Sequence, residues 1–171
     1  MLPITRKCKR GTTQLGHIRL EDFGPKSHVP FERQKIGVLV IDDHEGMREG
    51  ITAMVNAQSD MTVLSQAGNG QEAIQQFREL RPDVSLLDWN LPVIQGEEVL
   101  RTLNAEIPQP RVIVMSALND ETCVLRALSL GAQSYLHKDM LRRELLRAIR
   151  AVHEGQQYLP EEIAKLLETG N

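Results

Sequence analysis

From residue 36 onward, short apolar runs rich in β-branched residues alternate with stretches whose apolar residues recur every three or four positions. That alternation is the tightest constraint on what this chain can fold into. The run IGVLVI (36–41) is followed by Met47, Ile51, Met54 and Val55 at helical spacing. MTVLSQA (61–67) is followed by Ala73, Ile74 and Phe77, and Pro82 ends that segment. DVSLLD (83–88) precedes a helix predicted over about 95–104, burying Val99, Leu100 and Leu103. RVIVMSA (111–117) precedes one over 120–130, with Val124, Leu125 and Leu128 inward. AQSYLH (132–137) precedes one over about 140–153, striped by Leu141, Leu145, Leu146, Ile149 and Val152. A last amphipathic segment, Glu161 to Leu167, starts after Pro160, a residue suited to a first helical turn.

Strands that are apolar throughout are buried on both faces, as parallel strands are. Five of them interleaved with five helices predict a doubly wound α/β domain with right-handed crossovers. The flavodoxin-like order 2-1-3-4-5 is one of two common solutions. It places a ligand crevice beyond the carboxyl ends of strands 1 and 3.

The 171 residues suffice for one such domain and an extension. The net charge of −3 hides an asymmetry. Residues 1–35 carry eight Lys/Arg against three Asp/Glu, and the remainder carries twelve against twenty. Residues 1–34 therefore read as a basic, disordered N-terminal extension, either a solvated leader or a segment drawn to polyanions. Residues 35–155 form the domain, and 156–171 a C-terminal helix or linker remnant. Two cysteines, Cys8 and Cys123, give no metal spacing or disulfide framework, which fits a reducing cytoplasm. The sequence offers no apolar run of membrane-spanning length and no secretory signal. Aromatic residues at 4% argue against base-stacking surfaces.

The crevice is where chemistry gathers. Strand 1 ends in Asp42-Asp43 and strand 3 in Asp88. In the 2-1-3-4-5 order three carboxylates then converge at one mouth, where like charges repel. A hard divalent cation relieves that repulsion, and Mg²⁺ suits it because it accepts carboxylates, waters and phosphate oxygens. Strand 4 contributes Ser116 and strand 5 ends near Lys138. Acids, hydroxyl and ammonium on one edge make a site for a phosphoryl group, whose transfer depends on positioning and charge neutralisation. His44 adjoins the acids, but hard Mg²⁺ prefers oxygen, so it reads as a loop or capping residue. Arg142, Arg143, Arg147 and Arg150 lie opposite an apolar stripe and read as a solvated face.

The blocks VLVIDDHEGMREGI, RPDVSLLDWNLP with Gly96, VIVMSA and GAQSYLHKD, in this order and spacing, resemble the receiver domain of bacterial two-component response regulators. The NarL/LuxR type is most similar, by DDH…REG and LLRAIRAVHEGQQYL. The resemblance spans about residues 36–155. It implies that Asp88 is the phospho-acceptor and that Asp43 binds Mg²⁺ with Asp42 close by. It implies the backbone carbonyl of Asn90 as a further ligand. Ser116 and Lys138 would hold the phosphoryl oxygens, and Tyr135 would follow Ser116 into the space it leaves. Asn90 and Leu118 would flank the site and tune self-dephosphorylation. The donor would be a histidine kinase or phosphotransfer protein, the output partner is unnamed, and phosphorylation-linked homodimerisation is part of the same pattern. Such a chain is a signalling phospho-acceptor rather than an enzyme.

Regulators of this type carry a helix-turn-helix domain, which needs about three helices. The sequence after Pro160 offers one, so DNA binding is not carried over. Two further readings are a scaffold or competitor that acts without phosphorylation, and a truncated transcriptional regulator. An Asp-nucleophile phosphohydrolase is disfavoured, because haloacid dehalogenase-type enzymes place Asp-x-Asp after strand 1, whereas here Asp42-Asp43 is followed by His44.

Overall fold

Strands β1 (Ile36–Ile41), β2 (Met61–Ala67), β3 (Val84–Asp88), β4 (Val112–Ser116) and β5 (Ser134–His137) pair in parallel. Their order is β2-β1-β3-β4-β5, as the alternating pattern predicts. The computed structural model describes residues 35–106, 109–118 and 120–169, so the basic extension 1–34 lies outside the described residues. Val38 and Val40 of β1 face α1 (Glu45–Asn56) and α5 (Leu141–His153). Leu39 and Ile41 face the opposite side, where α2 (Gly70–Leu80), α3 (Gly96–Glu106) and α4 (Glu121–Ser129) pack. This two-sided burial is why the strands are apolar at successive positions rather than alternate ones. A sixth helix, α6 (Glu161–Thr169), follows α5. Among the described residues no helix is long and apolar enough to cross a membrane.

Two sequence expectations shift. Leu125, expected inward, is 49% exposed, and Ala127 is buried in its place. The helical stripe runs through Val124, Ala127 and Leu128, and one residue's rotation carries Leu125 off it. Strand β5 begins at Ser134 rather than residue 132, because Ala132 lies in the turn that closes off α4, its N–H donating to the Ala127 carbonyl at 3.1 Å.

Both sheet edges are occupied by local groups. In β2 the register with β1 slips between Val38 and Leu39, so Leu64 is an extra residue that bulges outward and covers Gly37. The outer N–H of Val63 donates to Asn56 Oδ1 at 2.8 Å, and the carbonyl of Gln66 accepts from Gln76 at 3.0 Å. Beside β5, Tyr158 forms a parallel bridge with Ser134 and its N–H donates to the Gln133 carbonyl at 2.9 Å.

The turn from β3 to α3 sets where β3 ends. Its Ile94 N–H donates to the Pro92 carbonyl at 2.8 Å around Val93, whose φ is 68°. A β-branched residue at positive φ is strained by about 1–3 kcal/mol. The turn closes where the Gly96 N–H donates to Trp89 at 3.1 Å. A Cβ on Gly96 would lie 2.4 Å from the Asp88 carbonyl oxygen and 2.8 Å from the Trp89 backbone, so glycine is required there by space.

Two outcomes are expected. Val93→Gly should raise the urea midpoint, a net gain of about 1 kcal/mol after the entropy glycine adds to the unfolded chain. Gly96→Ala should lower stability by about 2 kcal/mol through overpacking against backbone. It should also shift Trp89 emission, and an unchanged emission and midpoint would contradict this account of the turn.

Candidate functional site

Asp42 follows the last residue of β1, and Asp88 is the last residue of β3. Because β1 and β3 are neighbours, the chain reverses its winding direction between them and opens a crevice there. Asp42 is fully buried and Asp88 is 2% exposed. Asp43 sits higher, with its side chain 34% exposed. One carboxylate oxygen from each of Asp42, Asp43 and Asp88, with a ring nitrogen of His44, lie within 4.8 Å of one another.

Their countercharge is Lys138, at the start of a 3-10 turn (Lys138–Met140) directly after β5. Its ammonium is 2.9 Å from Asp88 Oδ2, in hydrogen-bond geometry, and 2.8 Å from Asp42 Oδ2. The second contact is an ion pair without hydrogen-bond alignment, so the buried Asp42 Oδ2 has no hydrogen-bond donor among the described residues. Burial pushes the Asp88 carboxyl above its ordinary value. The Lys138 ammonium and the Asn90 N–H pull the other way without cancelling it, and Asp42 adds repulsion. Burial also works against the charged form of Lys138, yet the Asp42 and Asp88 carboxylates outweigh it and hold its pKa above the usual value.

The two loops around the acids are held by local bonds. Asp42 Oδ1 accepts from the His44 N–H at 2.9 Å. His44 occupies the N-cap position of α1, as the sequence suggested, but its ring does not cap the helix. It turns to the acids instead, with Nδ1 2.7 Å from Asp43 Oδ1 and 3.4 Å from Asp42 Oδ1. Arg48, which sequence reasoning passed over, donates to the Asp42 backbone carbonyl at 2.7 Å. Its position one turn into α1, four residues after His44, is the signal that was available. On β3, Asp88 Oδ1 accepts from the Asn90 N–H at 3.2 Å.

Ser116, at the end of β4, is fully buried and its Oγ accepts from the Leu118 N–H at 3.0 Å. Tyr135 of β5 is also fully buried, and its hydroxyl donates to the Leu118 carbonyl at 2.7 Å. Burial raises the Tyr135 phenol to about 12, so it stays a donor throughout the ordinary pH range. Leu118 is thus gripped at both its N–H and its carbonyl by the two residues that the family resemblance pairs. Of the Arg set on α5, Arg150 pairs with Asp60 at 2.8 Å and Arg143 with Glu162 at 3.0 Å, both exposed.

A concavity of about 740 Å³ lies elsewhere, lined by Arg81, Asp83, Arg111, Gln133 and other loop residues. None of the clustered acids lines it, and it sits among loops that follow helices. The acid cluster lies instead at the carboxyl edge of the sheet.

Comparison with known proteins places the chain in a family. Residues 38–150 match the response regulator receiver domain. The chain is 37% identical over 130 residues to the nitrate/nitrite response regulator protein NarL of Escherichia coli K12, covering 76% of this chain and 60% of that protein. It is 38% identical over 132 residues to the response regulator GacA of Pseudomonas viridiflava, covering 77% and 62%. The chain thus spans about 60% of the length of the curated relatives it matches. Among solved structures, a LuxR-family two-component response regulator from Aurantimonas sp. SI85-9A1 superposes with a TM-score of 0.77 at 26% identity, covering 80% of this chain and 98% of that one. The receiver domain of the putative response regulator NarL from Mycobacterium tuberculosis gives 0.68 at 32%, covering 72% and 99%. With its flavodoxin-like sheet, its acid cluster at the β1/β3 reversal and these likenesses, the chain belongs to the response regulator receiver domain family of two-component signalling.

Proposed function

We propose that Asp88 accepts a phosphoryl group from the phosphohistidine of a histidine kinase or phosphotransfer protein in the cytoplasm. The observation that carries this reading is the buried Asp88 carboxylate, 2.9 Å from Lys138 and clustered with Asp42 and Asp43. The donor set fits Mg²⁺: the clustered ligands are chiefly carboxylate oxygens, and among the described residues the buried Asp42 Oδ2 has the Lys138 ion pair but no aligned hydrogen-bond donor. Asp42, Asp43, Asp88 and the backbone carbonyl of Asn90 would hold the ion. When bound, Mg²⁺ neutralises carboxylate charge and accepts phosphoryl oxygens.

The residues then divide the work. Asp88 Oδ2 is committed to Lys138, whereas Oδ1 has only the long bond from Asn90. Oδ1 is the oxygen that attacks phosphorus. A P–O bond forms as the P–N bond to the donor imidazole breaks, and that nitrogen keeps the electron pair. Lys138 moves its charge from the carboxylates to the new phosphoryl oxygens, which a flexible stem with a point charge allows. The Ser116 hydroxyl donates to a phosphoryl oxygen. Because Ser116 and Tyr135 both hold Leu118, that step alters the loop leading into α4 and the β4–α4–β5 surface beside it. Tyr135 is already buried here, which supports a switch that works through how Leu118 is held. Water would later cleave the acyl phosphate, with Asn90 and Leu118 at its path. The proposal is confined to the receiver domain.

Acetyl phosphate with Mg²⁺ should add one phosphoryl group by intact mass and quench Trp89, which adjoins Asp88. Both effects should vanish in Asp88→Asn and without Mg²⁺. Uptake that survives Asp88→Asn would remove the assignment.

The raised Asp88 pKa has a stability consequence whose sign is fixed. A carboxyl that is harder to ionise in the fold than in the unfolded chain costs stability while it is charged. The cost disappears as pH falls through the raised value. In buffer free of divalent cations, Asp88→Asn should therefore melt above the parent at pH 7. The gap should close as pH is lowered, and a gap that widens toward acid would refute the burial argument.

A further inference from the structure

The acid cluster contains one donor that is not an oxygen. His44 Nδ1 lies 2.7 Å from Asp43 Oδ1 and 3.4 Å from Asp42 Oδ1. That nitrogen and one oxygen from each of Asp42, Asp43 and Asp88 all fall within 4.8 Å of one another. Around an octahedral dication with ligands at about 2.1 Å, neighbouring ligands lie about 3 Å apart and opposite ones about 4.2 Å. The two separations from Nδ1 bracket the neighbouring distance, so the ring stands where a fourth protein ligand would stand.

The backbone holds His44 in this place. Its N–H donates to Asp42 Oδ1 at 2.9 Å, and its carbonyl accepts from Met47 and Arg48, each at 3.1 Å. The side chain is left 74% exposed and makes no capping bond. Lys138 already supplies countercharge to Asp42 and Asp88 from the buried side. His44 stands on the solvent side with Asp43, where an ion would enter. A hydrogen bond to Asp43 needs the ring proton on Nδ1. The neutral tautomer with its proton on Nε2 presents a lone pair at the same point.

Donor chemistry then decides which ions gain from the ring. Mg²⁺ takes oxygen ligands. Imidazole suits Ni²⁺, Zn²⁺ and similar borderline ions. With Asp42, Asp43 and Asp88 holding a divalent cation, as in the proposed function on which this rests, we propose that His44 Nδ1 is a fourth protein ligand for first-row transition dications. It thereby sets how strongly the site favours them over Mg²⁺. Exposed at the mouth, the ring is a ligand for Ni²⁺ or Zn²⁺ and a spectator for Mg²⁺.

The test uses the full chain and His44→Ala, each titrated with MgCl₂ and separately with NiCl₂. The readout is Trp89 emission, because this sole tryptophan adjoins Asp88. The substitution should lower the affinity for Ni²⁺ about tenfold or more and leave that for Mg²⁺ within about twofold, since only the former ion uses the nitrogen. The unchanged Mg²⁺ response also shows that the variant is folded at the site. Proton NMR with Co²⁺ then reads the ligand directly. In the parent, the ring protons of one histidine should shift far outside the diamagnetic range, and His44→Ala should lose that signal. An equal fall in both affinities would make His44 a positioning residue for Asp43 and overturn the proposal. Unchanged Ni²⁺ affinity, or a shifted histidine that survives His44→Ala, overturns it as well. If neither ion moves Trp89 in the parent and equilibrium dialysis finds none bound, the acids hold no metal. The proposed function then loses its ion, and the role of His44 falls with it.

Discussion

One ammonium lets this fold bury two carboxylates side by side. Asp42 and Asp88 end neighbouring strands with almost no solvent contact, and Lys138 reaches both from the turn after β5. An unpaired charge in either position would cost several kcal/mol. The pairing depends on the strand order, because only the reversal between β1 and β3 brings the two acids together. It also depends on a side chain with a compact charge and a flexible stem. Arginine would match one carboxylate in a fixed fork, whereas lysine divides itself between two and can transfer to a third group. The arrangement is held together yet not saturated, since among the described residues Asp42 Oδ2 has the Lys138 ion pair but no aligned hydrogen bond.

Much of this was legible in the sequence. Strand identity followed from apolar runs too short for helices, and their order from the preference of doubly wound sheets. Asp42, Asp43, Asp88, Ser116 and Lys138 could be grouped because each closes a strand, and strand ends share one edge of a parallel sheet. What stayed hidden were features that depend on side-chain direction. Leu125 and Ala127 lie on one short helix, and spacing alone does not fix the phase of a stripe when small residues share it. His44 and Arg48 act at the site through a ring that turns away from its helix and a guanidinium that reaches a backbone carbonyl. Neither direction leaves a periodic trace.

Backbone strain and close contact sit immediately behind the end of β3. Val93 holds a positive φ, and Gly96 packs where any side chain would strike the Asp88 carbonyl. The turn thereby clamps the end of β3 from outside, while Leu118 is held from two sides at the end of β4. The proposed phosphoryl transfer, which would shift charge between a lysine, a serine and a carboxylate, calls for fixed strand ends more than for a rigid rim. Here the rim residues, Asp43 and His44, are the exposed members of the cluster.

The side-chain caps on the sheet edges have a consequence for the protein's behaviour in a crowded cell. A bare edge strand is a template for pairing with the next molecule. On β2, the Leu64 bulge breaks the regular spacing, and Asn56 and Gln76 already occupy backbone groups that a foreign strand would seek. On β5, Tyr158 takes the corresponding place. Edge-to-edge growth of the sheet thus meets residues of the chain itself on both sides, at Val63 and Gln66 of β2 and at Gln133 and Ser134 beside β5.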